Sequence, residues 1–169
     1  MEQENNQTTT VQEERPRLEG PLLDNWSRLT DTLRDRFKFG NAFNDDLYAL
    51  IASGVPEAVI SKALKMPGTD DPVVYELKFN QYEDRNGHPA YGLHGFTSTL
   101  VEDAVRSQYF LNYNNQGKNA IQAKNQLKGR TVFHRATSAI DGAQYNAMSR
   151  INFKGTKDKY GNYPVEIRP

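Results

Sequence analysis

The residue types that could do nucleophilic or metal chemistry are scattered along this chain of 169 residues. Its three histidines, His88, His94 and His134, lack the H-x₃-H spacing of a zinc site, and the chain has no cysteine to supply a thiolate. A triad of Ser98, His94 and Asp103 can be assembled on paper, but no G-x-S-x-G elbow accompanies it. We therefore expect no catalytic residue, no metal site and no cofactor, and we predict that the protein is not an enzyme.

Pairs of adjacent carboxylates are the other candidates for acid–base chemistry or for holding a hard cation. They are Asp45-Asp46, Asp70-Asp71, Glu83-Asp84 and Glu102-Asp103. Adjacent acids at helix starts and turns usually act as caps and solvated tips, so we assign them no catalysis. Gly117-Lys118 and Gly155-Thr156-Lys157 lack the spacing of a phosphate-binding loop, and no nucleotide site is predicted.

Charge is distributed unevenly along the chain, although the formal net charge is zero. Residues 1–103 contain 10 Lys and Arg against 18 Asp and Glu, a net charge of −8. Residues 104–169 contain 11 Lys and Arg against 3 Asp and Glu, a net charge of +8. This asymmetry indicates either that the basic half binds a polyanion or that the two halves neutralise each other across an internal or subunit interface.

Cations alternate with aromatic residues throughout the basic half. Positive grooves with aromatic faces bind single strands by attracting phosphates and by stacking bases, at about 1–3 kcal/mol per base. Strand alternation predicts that Phe110, Phe133 and Phe153 face the core, which leaves four tyrosines free to stack. The predicted nucleic-acid site consists of Lys124, Lys128, Arg130, Arg135, Arg150, Lys154, Tyr109, Tyr113, Tyr145 and Tyr160.

The segment from Leu47 to Leu64 could form a second kind of nucleic-acid site. Apolar residues at helical spacing predict helices over residues 45–53 and 56–65, joined through Gly54-Val55. This arrangement is typical of helix-turn-helix proteins that read the major groove. The second helix offers lysines but no arginine and lies in the acidic half, so we favour a packed helical pair and leave the DNA-reading alternative open.

The remaining elements follow from changes in apolar spacing. Leu22, Trp26, Leu29, Leu33 and Phe37 form one helical stripe that ends near Gly40. Strands are predicted over residues 74–79, 91–100, 107–113, 130–135, 145–153 and 163–167, with a hairpin turn at Asn86-Gly87 and one helix over residues 118–127. The sum is an α+β fold, with N-terminal helices followed by a mostly antiparallel sheet that one helix crosses.

Domain organisation follows from composition, since only 37% of the residues are hydrophobic against about 45–50% in ordinary globular chains. Residues 1–19 offer only Val11 and Leu18 for burial and are predicted to be a disordered tail. Residues 20–169 are predicted to form one domain, with a helical part over residues 20–66 and a sheet part over residues 73–169. No apolar run approaches the roughly 20 residues of a membrane helix, and no signal peptide is recognised, so we expect a cytoplasmic protein without membrane contact.

The basic half also resembles a domain of unknown function found in conjugative and other mobile-element proteins of gut anaerobes. The resemblance covers about residues 109–167. Its motifs are Phe110-Leu111-Asn112, Ala123 with Leu127-Lys128-Gly129-Arg130-Thr131-Val132, Gly142 with Tyr145-Asn146-Ala147, Ile151-Asn152-Phe153, and Asp158 with Tyr160-Gly161-Asn162-Tyr163. Met148 stands where that family usually has tryptophan, and Asn152 where it has an acidic residue. The resemblance implies a mobile-element context and no particular activity.

These observations predict a non-enzymatic accessory protein of a mobile genetic element. It would bind nucleic acid, single-stranded or without strong sequence preference, through its basic, tyrosine-bearing half. The alternative is a protein-interaction or structural module without nucleic-acid binding. In that case the basic half docks on an acidic partner protein, or on the acidic half of a second subunit to give a homo-oligomer.

Overall fold

The computed structural model describes residues 16–66, 71–113 and 115–169, which form three α-helices and seven strands in two antiparallel sheets. The predicted α+β class, with N-terminal helices followed by sheet strands, is confirmed. The helices are α1 (Gly20–Asp31, continued by a π-helical turn over Thr32–Arg36), α2 (Asn44–Ser53) and α3 (Ala120–Leu127). The strands are β1 (Glu57–Lys65), β2 (Pro72–Glu83), β3 (Pro89–Leu100), β4 (Ser107–Leu111), β5 (Val132–Thr137), β6 (Gln144–Ile151) and β7 (Val165–Arg168).

The segment predicted as a second helix of a helix-turn-helix is strand β1, so that prediction and the DNA-reading role attached to it are wrong. Gly54 ends α2 in the left-handed region, with φ 73°. β1 then pairs with β2 along its whole length, from Glu57 opposite Asn80 to Lys65 opposite Pro72. Burial along β1 alternates with a period of two. Hydrogen bonding to a long neighbouring strand therefore overrides the helical apolar spacing.

The first sheet, in the order β1-β2-β3-β4, packs its inner face against the helices. Phe39, which follows the π-helical turn, lies at the centre of this contact. Its ring centroid is 5.1 Å from that of Phe96 and 5.2 Å from that of Tyr75, both at edge-on angles. The Tyr75 hydroxyl donates to the carbonyl of Ala120 at 2.9 Å, which ties the start of α3 to the same core.

The second sheet, in the order β5-β6-β7, packs one face against α3. The buried amide of Gln126 donates to Ser149 Oγ at 2.7 Å and to the Ser149 carbonyl at 3.1 Å. Val132 lies opposite Ser149 in the ladder and is buried with it. Alternation from Val132 turns Phe133 outward, where it is 65% exposed, so the prediction that Phe133 faces the core is wrong. Phe110 is buried as predicted, and Phe153 is partly buried against the core.

The predicted N-terminal tail is only partly covered by the structure, because residues 1–15 lie outside the described residues. Leu18 is 4% exposed and belongs to the hydrophobic core. Its backbone N–H donates to the Tyr48 hydroxyl at 2.8 Å, so this amide has a hydrogen-bond partner. The prediction of a disordered tail over residues 1–19 is therefore wrong at Leu18. Within the described ranges, no helix is both long enough and apolar enough to cross a bilayer.

Candidate nucleic-acid interface

A cavity of about 600 Å³ opens on the outer face of the first sheet, the face that points away from the helices. Thr97 lies opposite Tyr109 in the β3–β4 ladder, and both side chains reach this face with Lys78 of β2. The register shifts after Lys78, which makes His94 the extra residue of a bulge and leaves it exposed on the same face. We call this the tyrosine cavity; it is lined by Lys78, His94, Thr97, Ser107, Gln108, Tyr109, Leu111, Tyr160, Gly161 and Asn162.

The ring of Tyr109 forms part of the cavity wall because Gly95 leaves room for it. A Cβ atom at Gly95 would lie 2.6 Å from Cζ of Tyr109 and 2.7 Å from the carbonyl oxygen of Phe110. The imidazole of His94 is 6.5 Å from the Tyr109 ring, centroid to centroid. The Tyr109 hydroxyl oxygen is buried and has no hydrogen-bond partner in the part of the chain described, and burial raises its pKa.

The loop before β7 brings Tyr160 to the mouth of the tyrosine cavity. One carboxylate oxygen of Asp158 accepts from the backbone N–H groups of Tyr160 and Asn162, both at 2.9 Å, which closes a tight turn. Asn162 Oδ1 accepts from the Tyr109 N–H at 2.9 Å. Gln108 exchanges two further hydrogen bonds with the backbone of Tyr163, at 2.8 and 2.9 Å. The loop is thus pinned to β4, while the Tyr160 ring stays 77% exposed.

Electrostatically, the described residues that line the tyrosine cavity include a lysine and no carboxylate. Lys78 and His94 line it, and none of the described residues that line it is Asp or Glu. Glu76 lies on the same outer face, opposite Thr97, but does not line the cavity. Lys159 on the loop places its Nζ 5.0 Å from the Tyr160 ring centroid, which adds a cation beside the exposed ring. The arrangement suits an anionic ligand that also has a flat aromatic part.

Three of the six predicted binding cations are either buried or paired with a carboxylate of the same chain. Lys124 is 3% exposed on α3, and burial lowers its pKa. Lys128 pairs with Asp71 at 2.8 Å and with Glu102, and these carboxylates raise its pKa. Arg150 Nε lies 3.1 Å from Glu166 Oε2. Lys128, which belongs to the basic half of the chain, is therefore neutralised by two carboxylates of the acidic half.

The other three predicted cations are exposed and do not line the tyrosine cavity. Arg130 donates to Asn125 at 2.7 Å, and Lys154 lies in the loop after β6. Arg135 donates to Asn146 at 3.1 Å on the outer face of the second sheet. The same face carries the exposed apolar side chains of Phe133 and Met148, which lie opposite each other in the ladder, together with Arg150 and Arg168.

The four predicted tyrosines separate into two groups. Tyr109 and Tyr160 meet at the tyrosine cavity, although 51 positions separate them in the sequence. Tyr113 is 73% exposed just after β4, and Tyr145 is half-buried on β6; neither lines this cavity.

Lys78 and His94 were missed as binding residues because they belong to the acidic half of the sequence. The alternation of apolar residues, at Tyr75, Leu77 and Phe79, with polar ones was a sequence signal that could have placed Lys78 on the outer face. The side chain of Ser98 is fully buried, whereas that of His94 is exposed on the opposite face of the sheet. The structure therefore does not assemble the triad of Ser98, His94 and Asp103.

Comparisons of the chain with protein-family models, with curated proteins and with solved structures find no match.

Proposed function

We propose that this protein binds single-stranded nucleic acid at the tyrosine cavity, without catalysis, as an accessory protein of a mobile genetic element. One observation carries the binding proposal. Tyr109 and Tyr160 line one open cavity together with Lys78 and His94, and no described carboxylate lines it. The mobile-element context rests on the sequence resemblance over residues 109–167, which includes both tyrosines.

Base stacking is the first contribution to binding. Tyr160 offers an exposed ring at the cavity mouth, and Tyr109 is held against the sheet above Gly95. Every base has a π-face, so stacking on two tyrosines tolerates any sequence. The volume of about 600 Å³ lies within the range of about 300–1,000 Å³ that small-ligand sites occupy, so the cavity can admit part of a nucleotide.

Phosphate attraction is the second contribution. Lys154, Lys157 and Lys159 follow one another along the loop that carries Tyr160, and none forms an ion pair with a carboxylate of the described residues. Lys78 lines the cavity, and Lys159 lies beside the ring of Tyr160. A strand bound at these cations releases condensed counterions from its phosphates, which makes binding depend on salt.

Fluorescence anisotropy with a labelled thymine oligonucleotide tests the proposal. If the protein contacts about five phosphates of the bound strand, a log–log plot of affinity against salt concentration has a slope of about −3 to −4. Tyr160→Ala removes an exposed stacking ring and is expected to weaken binding about 5- to 150-fold, the equivalent of about 1–3 kcal/mol. Lys78→Gln is expected to reduce the salt slope by about 0.7.

Tyr113→Ala is the matched control, because Tyr113 is 73% exposed and Tyr160 is 77% exposed, but Tyr113 lies outside the cavity. The control is expected to bind like the unchanged protein. Absence of binding at about 50 mM salt and micromolar protein, or an equal loss in both tyrosine variants, would contradict the proposal. Absence of binding would favour the alternative of protein docking, for which the outer face of the second sheet offers exposed Phe133 and Met148 among three arginines.

A further inference from the structure

Lys118 lies in a second cavity, of about 250 Å³, between β4, the start of α3 and β5. We call this the lysine cavity; it is lined by Gln108, Tyr109, Phe110, Leu111, Gln116, Gly117, Lys118, His134, Arg135 and Val165. The Lys118 Nζ lies 5.9 Å from the centroid of the Phe110 ring. None of the described lining residues is Asp or Glu, and no described carboxylate is within ion-pair distance of this Nζ.

The backbone on both sides of Lys118 is held in place. Asn119 caps α3, with its Oδ1 accepting from the Gln122 N–H at 2.8 Å and its own N–H donating to Gln122 Oε1 at 2.9 Å. The carbonyl of Gly117 accepts from Arg36 at 2.9 Å. A Cβ at Gly117 would lie 2.8 Å from the Leu111 carbonyl oxygen, so the chain passes close to β4 here. Lys118 is therefore positioned by the fold rather than carried on a free loop.

The surroundings of Lys118 favour the uncharged amine. Burial lowers its pKa to about 8. The ionisable residues that line the cavity with it are Tyr109, His134 and Arg135, and none is an anion at neutral pH. The pKa of His134 is itself lowered, first by burial. A far larger fraction of Lys118 is therefore unprotonated at pH 7 than of a lysine with the ordinary pKa of about 10.4.

We propose that Lys118 is a carbonyl-reactive lysine, whose Nζ forms an imine with a small aldehyde admitted to the lysine cavity. The Nζ lone pair attacks the carbonyl carbon and gives a carbinolamine. Loss of water then forms the C=N bond: both amine hydrogens leave with the carbonyl oxygen, and no oxidant or reductant is needed. The amide of Gln116, which lines the cavity, supplies a hydrogen-bond donor for a polar or anionic group on the aldehyde. This proposal does not depend on nucleic-acid binding.

Trapping with glyoxylate and cyanoborohydride tests the proposal, since the reductant converts an imine into a stable secondary amine. Peptide mapping by mass spectrometry then measures the rate at each lysine. Lys118 is expected to be modified on the order of 10-fold faster at pH 7 than exposed Lys157, and the ratio of the two rates is expected to fall as the pH rises above the lowered pKa of Lys118. Equal rates at the two lysines at pH 7, or a ratio that stays the same between about pH 7 and pH 10, would overturn the proposal.

Gln116→Glu is the second variant, because it adds a carboxylate to the cavity lining with almost no change in shape. A nearby negative charge favours the ammonium form, so trapping at Lys118 is expected to slow several-fold at pH 7 and to recover at high pH. Lys118→Arg is expected to abolish the adduct at position 118. If Gln116→Glu keeps its melting temperature and the trapping rate does not change, the cavity does not control this lysine and the proposal is wrong.

Discussion

Gly95 determines where the ring of Tyr109 lies. Any other residue at this position would bring a Cβ to 2.6 Å from Tyr109 Cζ and to 2.7 Å from a backbone oxygen of β4. The ring can move away, but the backbone of a paired strand cannot do so without breaking the β3–β4 ladder. A glycine is thus needed at position 95 for Tyr109 to pack against the sheet in the wall of the tyrosine cavity, although Gly95 itself contacts no ligand in the proposal.

Gly95→Ala is expected to lower the free energy of unfolding by about 1–3 kcal/mol, because overpacking forces shifts in the neighbouring strand. Urea unfolding followed by tyrosine and tryptophan fluorescence measures the change. Gly92→Ala is the matched control on the same strand, since a Cβ there would meet the Tyr82 ring at an ordinary 3.4 Å. If both variants unfold at the same urea concentration, the close approach at Gly95 is not a constraint.

At the scale of elements, α3 and β1 show two different origins of secondary structure. α3 has a local signal, because Asn119 and Gln122 complete a capping box within four residues. β1 has no such signal. Val59, Ile60, Ala63 and Leu64 fit a helical stripe, yet the segment is an edge strand whose nine residues all pair with β2. A short apolar run is ambiguous until its partner is known.

Asn119→Ala is expected to lower the free energy of unfolding by about 1 kcal/mol, since it leaves the Gln122 N–H of α3 without its cap. Thermal unfolding followed by circular dichroism measures the loss. Gln116→Ala, in the exposed segment just before the helix, is the control and is expected to change stability by less than about 0.5 kcal/mol. An unchanged melting temperature for Asn119→Ala would mean that tertiary packing alone holds α3.

At the scale of the whole molecule, one hydrophobic cluster contains residues of the helices, of both sheets and of the loop before β7. Leu33 and Phe39 enter it from the helical part, Tyr75 and Phe96 from the first sheet, and Ile151 from the second. Phe37 adds a backbone link, since its carbonyl accepts from the Ala120 N–H at 2.8 Å.

Phe39→Ala is expected to lower the free energy of unfolding by about 3–5 kcal/mol, because it leaves a cavity among the three aromatic rings of Phe43, Tyr75 and Phe96. If the cluster is one cooperative unit, hydrogen exchange accelerates near Leu33 and also around Val132 and Ile151. Mass-spectrometric exchange measures this, with Tyr113→Ala as an exposed aromatic control that leaves exchange unchanged. Acceleration confined to residues 20–66 would show that the helical part unfolds independently.

The sequence by itself determined those features that depend on neighbours along the chain. Asp84, Asn86 and Gly87 form the predicted hairpin turn: one carboxylate oxygen of Asp84 accepts from the N–H groups of Asn86 and His88, and Gly87 has φ 78°. α1, α2 and α3 begin and end close to the predicted positions for the same local reasons of spacing and helix ends. The opposite charges of the two halves and the α+β class also follow from composition and order alone.

Only the tertiary structure decided which side chains meet. The β1–β2 pairing, the bulge at His94 and the outward turn of Phe133 depend on registers between strands, and a shift of one residue sends a side chain to the other face. The packing of α3 buries Lys124, and the hydrogen bond between Asn162 and Tyr109 brings the loop that carries Tyr160 to Tyr109 beside Lys78. Hydrogen bonds between distant segments set these positions, and the sequence near each residue carries no record of its distant partner.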